Sequence, residues 1–270
     1  MGSTHHYLSL HTVFILNENI KWLEEYIVYH KHIGFEHFYL YDNEGSTGGW
    51  GNKTNNKYGF PISTTSTEED RAKFQSLLSK YGDCITHILW QPKNQKGEII
   101  YDQDNAVQHC MTTYGKTNEW IACMDLDEFI FSVQNINLID YLRSLDQDLS
   151  CVKLIQKKFK DRFLTNQAYI TQEYGCINMK IDESWAAKNI LRCRDYLPST
   201  NIHCIKVRNK TIIPDTNILR FNHYNLNPKQ LLWMRDFFKS ETEFKIDGYD
   251  DGMKRYKQLF TNVCQEDICE

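Results

Sequence analysis

Apolar and polar positions in this chain fall into blocks, and the period of the blocks switches repeatedly between two and about 3.6 residues. Tyr7 to Leu16 alternates and then runs apolar, the pattern of a central strand. Polar Asn17-Glu18-Asn19 interrupts it. Trp22, Leu23, Tyr26, Ile27, His30 and Ile33 then recur at helical spacing, and Gly34 closes the helix. His37 to Tyr41 reads as a second strand ending in Asp42-Asn43. Strand, helix, strand with short connections is a βαβ unit and predicts parallel pairing. Residues 44 to 67 are rich in Gly, Asn, Ser and Thr and read as a long loop. The alternation then resumes. A helix opens at Ser66-Thr67-Glu68-Glu69 and ends before Gly82, Cys84 to Trp90 makes a third strand, and Asp104 to Tyr114 another helix. Trp120 to Met124 is a fourth strand, buried by its composition, and Phe129 to Phe131 resume its apolar character.

After Phe131 the regular alternation breaks down. A short helix is predicted over Leu138 to Leu145 and a strand over Cys151 to Ile155, then a mixed region from Phe159 to Met179. A basic strand follows over Asn189 to Arg194, with further short strands over Ile202 to Val207 and Ile218 to Phe221. Asn227 and Pro228 open an amphipathic helix reaching Phe238, and a last helix runs from about Gly252 to Phe260. The pattern predicts one α/β domain over 1–270. Its first half, 1–131, is built on a mostly parallel sheet, and its second, 132–270, is mixed α+β. No flexible linker or internal repeat separates them.

The candidate chemistry sits where the fourth strand stops. Asp125, Asp127 and Glu128 follow it directly, in apolar surroundings where unpaired charge is expensive. Residues i and i+2 of an extended segment point to one side, so Asp125 and Asp127 can converge on one ion. Hard divalent ions such as Mg2+ or Mn2+ take such oxygen ligands and leave positions for phosphate oxygens. Asp-x-Asp occurs three times, at Asp102, Asp125 and Asp146, but only the middle copy ends an apolar strand. An N-cap or a satisfied carboxylate pair is the plain alternative for it. In parallel sheets ligands bind at the carboxyl ends of strands, where Asn17, Glu18, Asp42 and Asn43 also lie; ordinary turn chemistry explains any one of these alone.

Composition narrows the classes. With 41% hydrophobic and 24% charged residues, 270 residues suffice for a sizeable core. A net charge of −4 offers no global attraction to nucleic acid or an anionic membrane. Nine dispersed cysteines, with no CxxC pair, fit a reducing compartment, so a cytoplasmic location is expected. No stretch reaches 18 apolar residues, so no transmembrane segment is expected.

Several of these blocks, in this order, resemble the GT-A glycosyltransferases, in particular glycosyltransferase family 92 and its family-2-like relatives. The residues that carry the resemblance are Asn17-Glu18 with Trp22-Leu-Glu-Glu-Tyr26, the strand ending Tyr41-Asp42-Asn43, and Asp125-Leu-Asp-Glu-Phe129. Lys188, His203 and His223-Tyr224 follow as later landmarks. The resemblance implies a Rossmann-like nucleotide-binding half with an acceptor-binding half. It also implies a nucleotide-sugar donor, with a UDP-sugar favoured, Mn2+ or Mg2+ on its diphosphate, and transfer to a hydroxyl of a glycan or glycoconjugate with inversion. On this reading Asp127 binds the ion, Asp125 faces the ribose or the ion, and Glu128 supports both. Asn17, Glu18, Asp42 and Asn43 line the nucleotide pocket, with Gln103 and Asp104 nearby. Lys188 or Arg192 adds fixed positive charge near the diphosphate, with solvated surface charge as the alternative for both. His203 is a candidate third metal ligand, and His223 shares its ambiguity between ligand and core residue. Inversion needs a carboxylate base; Glu183, Asp182 and Asp215 are the candidates, Glu183 first because Trp185 and Lys188 are close in sequence. The competing classes are a non-catalytic nucleotide- or sugar-binding domain and a nucleotidyltransferase. The latter would want a Gly-rich basic loop where Asn17-Glu18-Asn19 stands.

Overall fold

The computed structural model describes residues 5–46, 65–159, 169–173, 175–177, 186–224 and 248–260. Strands β1 (His6–Phe14), β2 (His37–Asp42), β3 (Ile85–Leu89) and β4 (Asn118–Cys123) alternate with helices α1 (Leu16–His32), α2 (Glu68–Tyr81) and α3 (Gln103–Tyr114). Beyond them come β5 (Glu128–Ser132), α4 (Leu138–Ser144), β6 (Leu149–Leu154), β7 (Gln156–Lys158), α5 (Ile170–Glu173) and β8 (Cys176–Ile177). The chain continues through β9 (Lys188–Arg192), β10 (Lys210–Ile212), β11 (Leu219–His223) and β12 (Gly248–Tyr249).

Seven strands form the central sheet in the order β10-β6-β9-β4-β1-β2-β3. Every neighbouring pair is parallel except the two made by β9, which runs against both β4 and β6. The architecture is therefore α/β with a mostly parallel sheet, as the alternation predicts. A three-stranded sheet, β5-β11-β7, and the small β12-β8 pair complete it. Both faces of the central sheet are covered, which is why its strands read as nearly continuous apolar runs. Leu8, Leu10 and Phe14 of β1 pack on one side with Leu23, Tyr26 and Ile27 of α1 and Phe74 of α2. Val13 faces the other side, with Ala106, Val107, Cys110 and Met111 of α3.

Local signals explain the boundaries. Thr67 caps α2, its hydroxyl accepting from the Asp70 N–H at 3.1 Å while the Asp70 carboxylate accepts from the Thr67 N–H at 2.9 Å. Gly34 (φ +110°) ends α1 in a conformation other residues resist, and a Cβ there would meet Ile139 Cγ1 at 2.7 Å.

Three expectations change. Helix α1 begins at Leu16, so Asn17 and Glu18 occupy its first turn rather than a loop; the Asn19 side chain accepts the Ile15 N–H at 2.9 Å and closes that end. Phe129 to Phe131 leave the central sheet and pair with β11 instead. Ile202 to Val207 is a looped segment, joined to the fold by one bridge from Val207 to Tyr196 and by the Asn189 side chain on the Ile202 carbonyl at 2.7 Å. The helix expected over 228–238 lies outside the described residues. Among those residues no helix is long and apolar enough to cross a membrane.

Candidate active site

The carboxyl ends of β1 to β4 share one edge of the sheet, since Phe14 pairs with Asp42, Asp42 with Leu89, and His11 with Cys123. Antiparallel β9 brings its first residue, Lys188, to the same edge, next to the Cys123–Asn189 pair. The chain leaves β4 through a tight turn. Met124 N–H donates to the His11 carbonyl at 3.1 Å, and Glu128 N–H donates to the Asp125 carbonyl at 3.1 Å. In return the Asp125 N–H donates to Glu128 Oε2 at 2.8 Å. Leu126 is buried beneath the turn, with an acid on either side of it in sequence. From the second sheet, the Tyr224 N–H donates to the Asp127 carbonyl at 3.0 Å, and β11 sets His223 opposite Glu128.

Two charged groupings result. Lys188 Nζ lies 2.6 Å from Asp125 Oδ2 and 3.0 Å from Glu128 Oε2, with Lys188 and Glu128 both 2% exposed and Asp125 32% exposed. Gln103 Nε2 donates to the other Asp125 oxygen. Asp127 Oδ2 lies 3.3 Å from His223 Nε2, and the second ring nitrogen of His223 is 3.0 Å from Gln156 Oε1. The two aspartates thus engage different partners, although only Leu126 separates them.

The electrostatics follow. Burial pushes the Glu128 carboxyl up to about 7, with the ammonium of Lys188 opposing and the Asp125 charge adding to the rise. Burial acts the same way on Asp125, but there Lys188 wins and holds the carboxyl below its ordinary range. Lys188 is raised: burial favours its neutral form, and Asp125 and Glu128 more than reverse that. His223 is raised likewise, burial being outweighed by Asp127. With an acceptor oxygen on each ring nitrogen, its imidazolium form is the one this pocket suits. His11, on β1 behind the cluster, is pushed down to about 3 by burial, and its Nε2 has no hydrogen-bond partner.

Other predicted residues take varied places. His203 Nδ1 is 3.1 Å from the Ala187 carbonyl, which makes Nδ1 the protonated nitrogen and leaves a lone pair on Nε2; burial and then Lys188 lower its pKa, against the fields of Asp125 and Asp104. Glu18 reaches the same field through Tyr101, whose buried hydroxyl is raised by burial and by Asp125, Asp127, Glu128 and Glu18. Asn17 is half-buried beside Glu18. Asp42 accepts the Glu44 N–H at 3.0 Å and sits 3.5 Å from His87 Nε2. Asn43 is fully buried, its amide donating to the Trp90 and Ile100 carbonyls, while its Oδ1 has no partner.

Two predicted residues lie elsewhere. Antiparallel β9 places Arg192 beside Trp120, roughly 13 Å along the strand from Lys188, so it cannot serve the same oxygens. Asp215 is exposed in the turn before β11, accepting the Asn217 N–H at 2.8 Å, at the opposite end of that strand from His223. It is not placed to act as a base. Asp182 and Glu183 lie outside the described residues. Gln156 went unseen in the sequence because β7 is three residues long and acquires its neighbour only by pairing with β11.

The metal that the resemblance implies finds a partial fit. Among the described residues no group of three or more His, Cys, Asp or Glu side chains is arranged to hold an ion. Asp127 and His223 do form an adjacent oxygen-nitrogen pair, and Mg2+ or Mn2+ on a nucleotide typically takes one or two protein ligands, the rest coming from phosphate and water.

The family model for glycosyltransferase family 92 matches residues 67–257, which include both groupings and β9 to β11. The chain belongs to glycosyltransferase family 92. A family 92 protein of Oryza sativa subsp. japonica is 24% identical over 130 residues, which cover 48% of this chain and 17% of the rice protein. The solved galactosyltransferase LgtC, in complex with donor and acceptor sugar analogs, aligns over 93% of this chain and 70% of its own at 11% identity. Its TM-score is 0.30, too low to carry an argument.

Proposed function

We propose that this family 92 chain transfers a sugar from a nucleoside-diphosphate donor, a UDP-sugar first among the candidates, to a hydroxyl of a glycan or glycoconjugate. The observation that carries the reading is the Asp127–His223 pair at the carboxyl edge of the sheet, beside the buried ammonium of Lys188 that Asp125 and Glu128 share. Asp127 would hold Mn2+ or Mg2+, joined by His223 once the ion displaces the proton from its Nε2. When bound, the ion supplies Lewis acidity for the departing diphosphate. Gln156 fixes the ring of His223, so that Nε2 points at Asp127 before any ligand arrives. Gln103 and Lys188 hold Asp125, leaving Asp127 to do the binding. Inversion requires a base on the acceptor side, and we assign that role to Glu183 or Asp182.

Thermal unfolding with UDP, GDP, CMP and dTDP, each with Mn2+ and with EDTA, tests the reading. A ligand at a hundred times its Kd adds about 2.7 kcal/mol to the native state, which in a domain of this size is a rise of roughly 5–10 °C. One nucleotide should raise Tm in Mn2+ and not in EDTA, and the Asp127→Ala variant should lose that response. No shift with any nucleotide in folded protein would remove the proposal.

A further inference from the structure

Lys188 is fully enclosed at the first position of β9, where its backbone is paired to Leu154 and its neighbour Asn189 to Cys123. The side chain is 2% exposed, and its ammonium lies 2.6 Å from Asp125 and 3.0 Å from Glu128. That is the place a divalent ion would take if the three acids of the block converged on one point. Glu128 Oε2 also accepts the Asp125 N–H, so the ammonium and the turn's backbone fasten the same carboxylate. We propose that Lys188 is a positioning residue that acts as a built-in cation: it fills the seat between Asp125 and Glu128, so that these two carboxylates are matched by the chain's own charge and not by a metal. This differs from a role as a ligand of the donor's diphosphate, because an ammonium that is itself 2% exposed and shared by two carboxylates has no outward face to offer. The inference rests on the proposed function only for the kind of ion concerned, and binding of the metal alone reports on it without any transfer assay.

Mn2+ affinity without nucleotide, measured by electron paramagnetic resonance of the free ion, decides between the two roles. Replacing Lys188 by Met should expose Asp125 and Glu128 together and tighten Mn2+ binding at least about tenfold, the least expected when a cation in direct contact with a carboxylate is removed. Mn2+ should also raise Tm more in Lys188→Met than in the unmodified protein, because the ion replaces the missing charge. A folded variant that binds Mn2+ no more tightly than the unmodified protein overturns the proposal. Should Lys188→Met fail to fold, amine labelling of the unmodified protein read by peptide mass spectrometry decides instead. A built-in cation stays unlabelled both with and without UDP and Mn2+, and labelling of Lys188 in either state overturns the assignment.

Discussion

Strand β9 begins and ends with a buried cation, and the two ends dispose of the charge differently. Lys188 meets two carboxylates, one of them as buried as itself. Arg192 lies 4.5 Å above the ring of Trp120, donates to the Gln147 carbonyl and side-chain oxygen at 3.1 Å each, and stands 3.7 Å from a partly exposed Glu119. Both are 2% exposed. At one end, charge is matched by charge in a low-dielectric setting where each partner depends on the other. At the other, a delocalised cation is spread over a π face and neutral acceptors, an arrangement a guanidinium suits and an ammonium does not. The first end is poised chemistry, the second is packing.

The largest effect should come from breaking the first end. Lys188→Met strands two carboxylates, and removing one partner of a buried ion pair costs about 3–5 kcal/mol. Denaturant midpoints of Lys188→Met and Arg192→Met, compared in one buffer with EDTA, check this. Equal losses would erase the distinction between the ends. Next in size is Asp127→Ala, expected to lower sugar transfer about 10²- to 10³-fold, the scale of losing one preorganised electrostatic contact, with little change in Tm. Donor hydrolysis and acceptor turnover are the readouts, and Arg192→Met is the control that should keep both.

A smaller effect separates two histidines in the same way. His30 is enclosed in α1, its Nδ1 2.8 Å from the Tyr26 carbonyl and its Nε2 3.5 Å from the Ile130 N–H, and burial pushes its pKa down to about 3. Its folded value lies below the unfolded 6.5, so the unfolded chain binds the proton first. Its stabilisation is complete above 6.5 and is lost as pH falls toward 3, by about 1.4 kcal/mol per pH unit. His223 is raised, so its contribution is complete below 6.5 and fades as pH climbs through the folded value. Urea midpoints at pH 7.5, 6.5 and 5.5 should fall on the acid side, and His30→Gln should flatten that fall. Asp127→Ala should lower the midpoint most at pH 5.5, where the His223 contribution is complete, and least above the folded value of His223, where the unmodified protein has already lost that contribution.

Most of the first half was legible because its strands are buried on both faces and its helices carry their own stop signals. Apolar runs such as Trp120 to Met124 have few other places to go, and Thr67 and Gly34 mark helix ends by local chemistry. The acids at Asp125 to Glu128 stand out for the same reason: charge after a buried strand demands partners. Which partners they take was not legible. Lys188 and Arg192 sit four residues apart in one basic strand, and only its antiparallel insertion decides that the first reaches the acids and the second reaches Trp120. Asp215 read as an available acid because nothing local shows that β11 carries it away from His223. Alternation over Ile202 to Val207 imitated a strand, yet tertiary anchors such as the Asn189 side chain hold it as a loop.

The smallest predicted effect is the most discriminating for the second end. Arg192→Lys keeps the charge and length but loses the flat face over Trp120 and the paired donation to Gln147. If that end is packing, the loss should be about 1 kcal/mol, the size of one stacked cation. Nucleotide-induced shifts and Mn2+ affinity should stay unchanged, because Arg192 lies a strand's length from Asp127. Were Arg192→Lys to weaken nucleotide binding while leaving the denaturant midpoint untouched, the cation at Trp120 would belong to the ligand site, and β9 would be functional along its whole length.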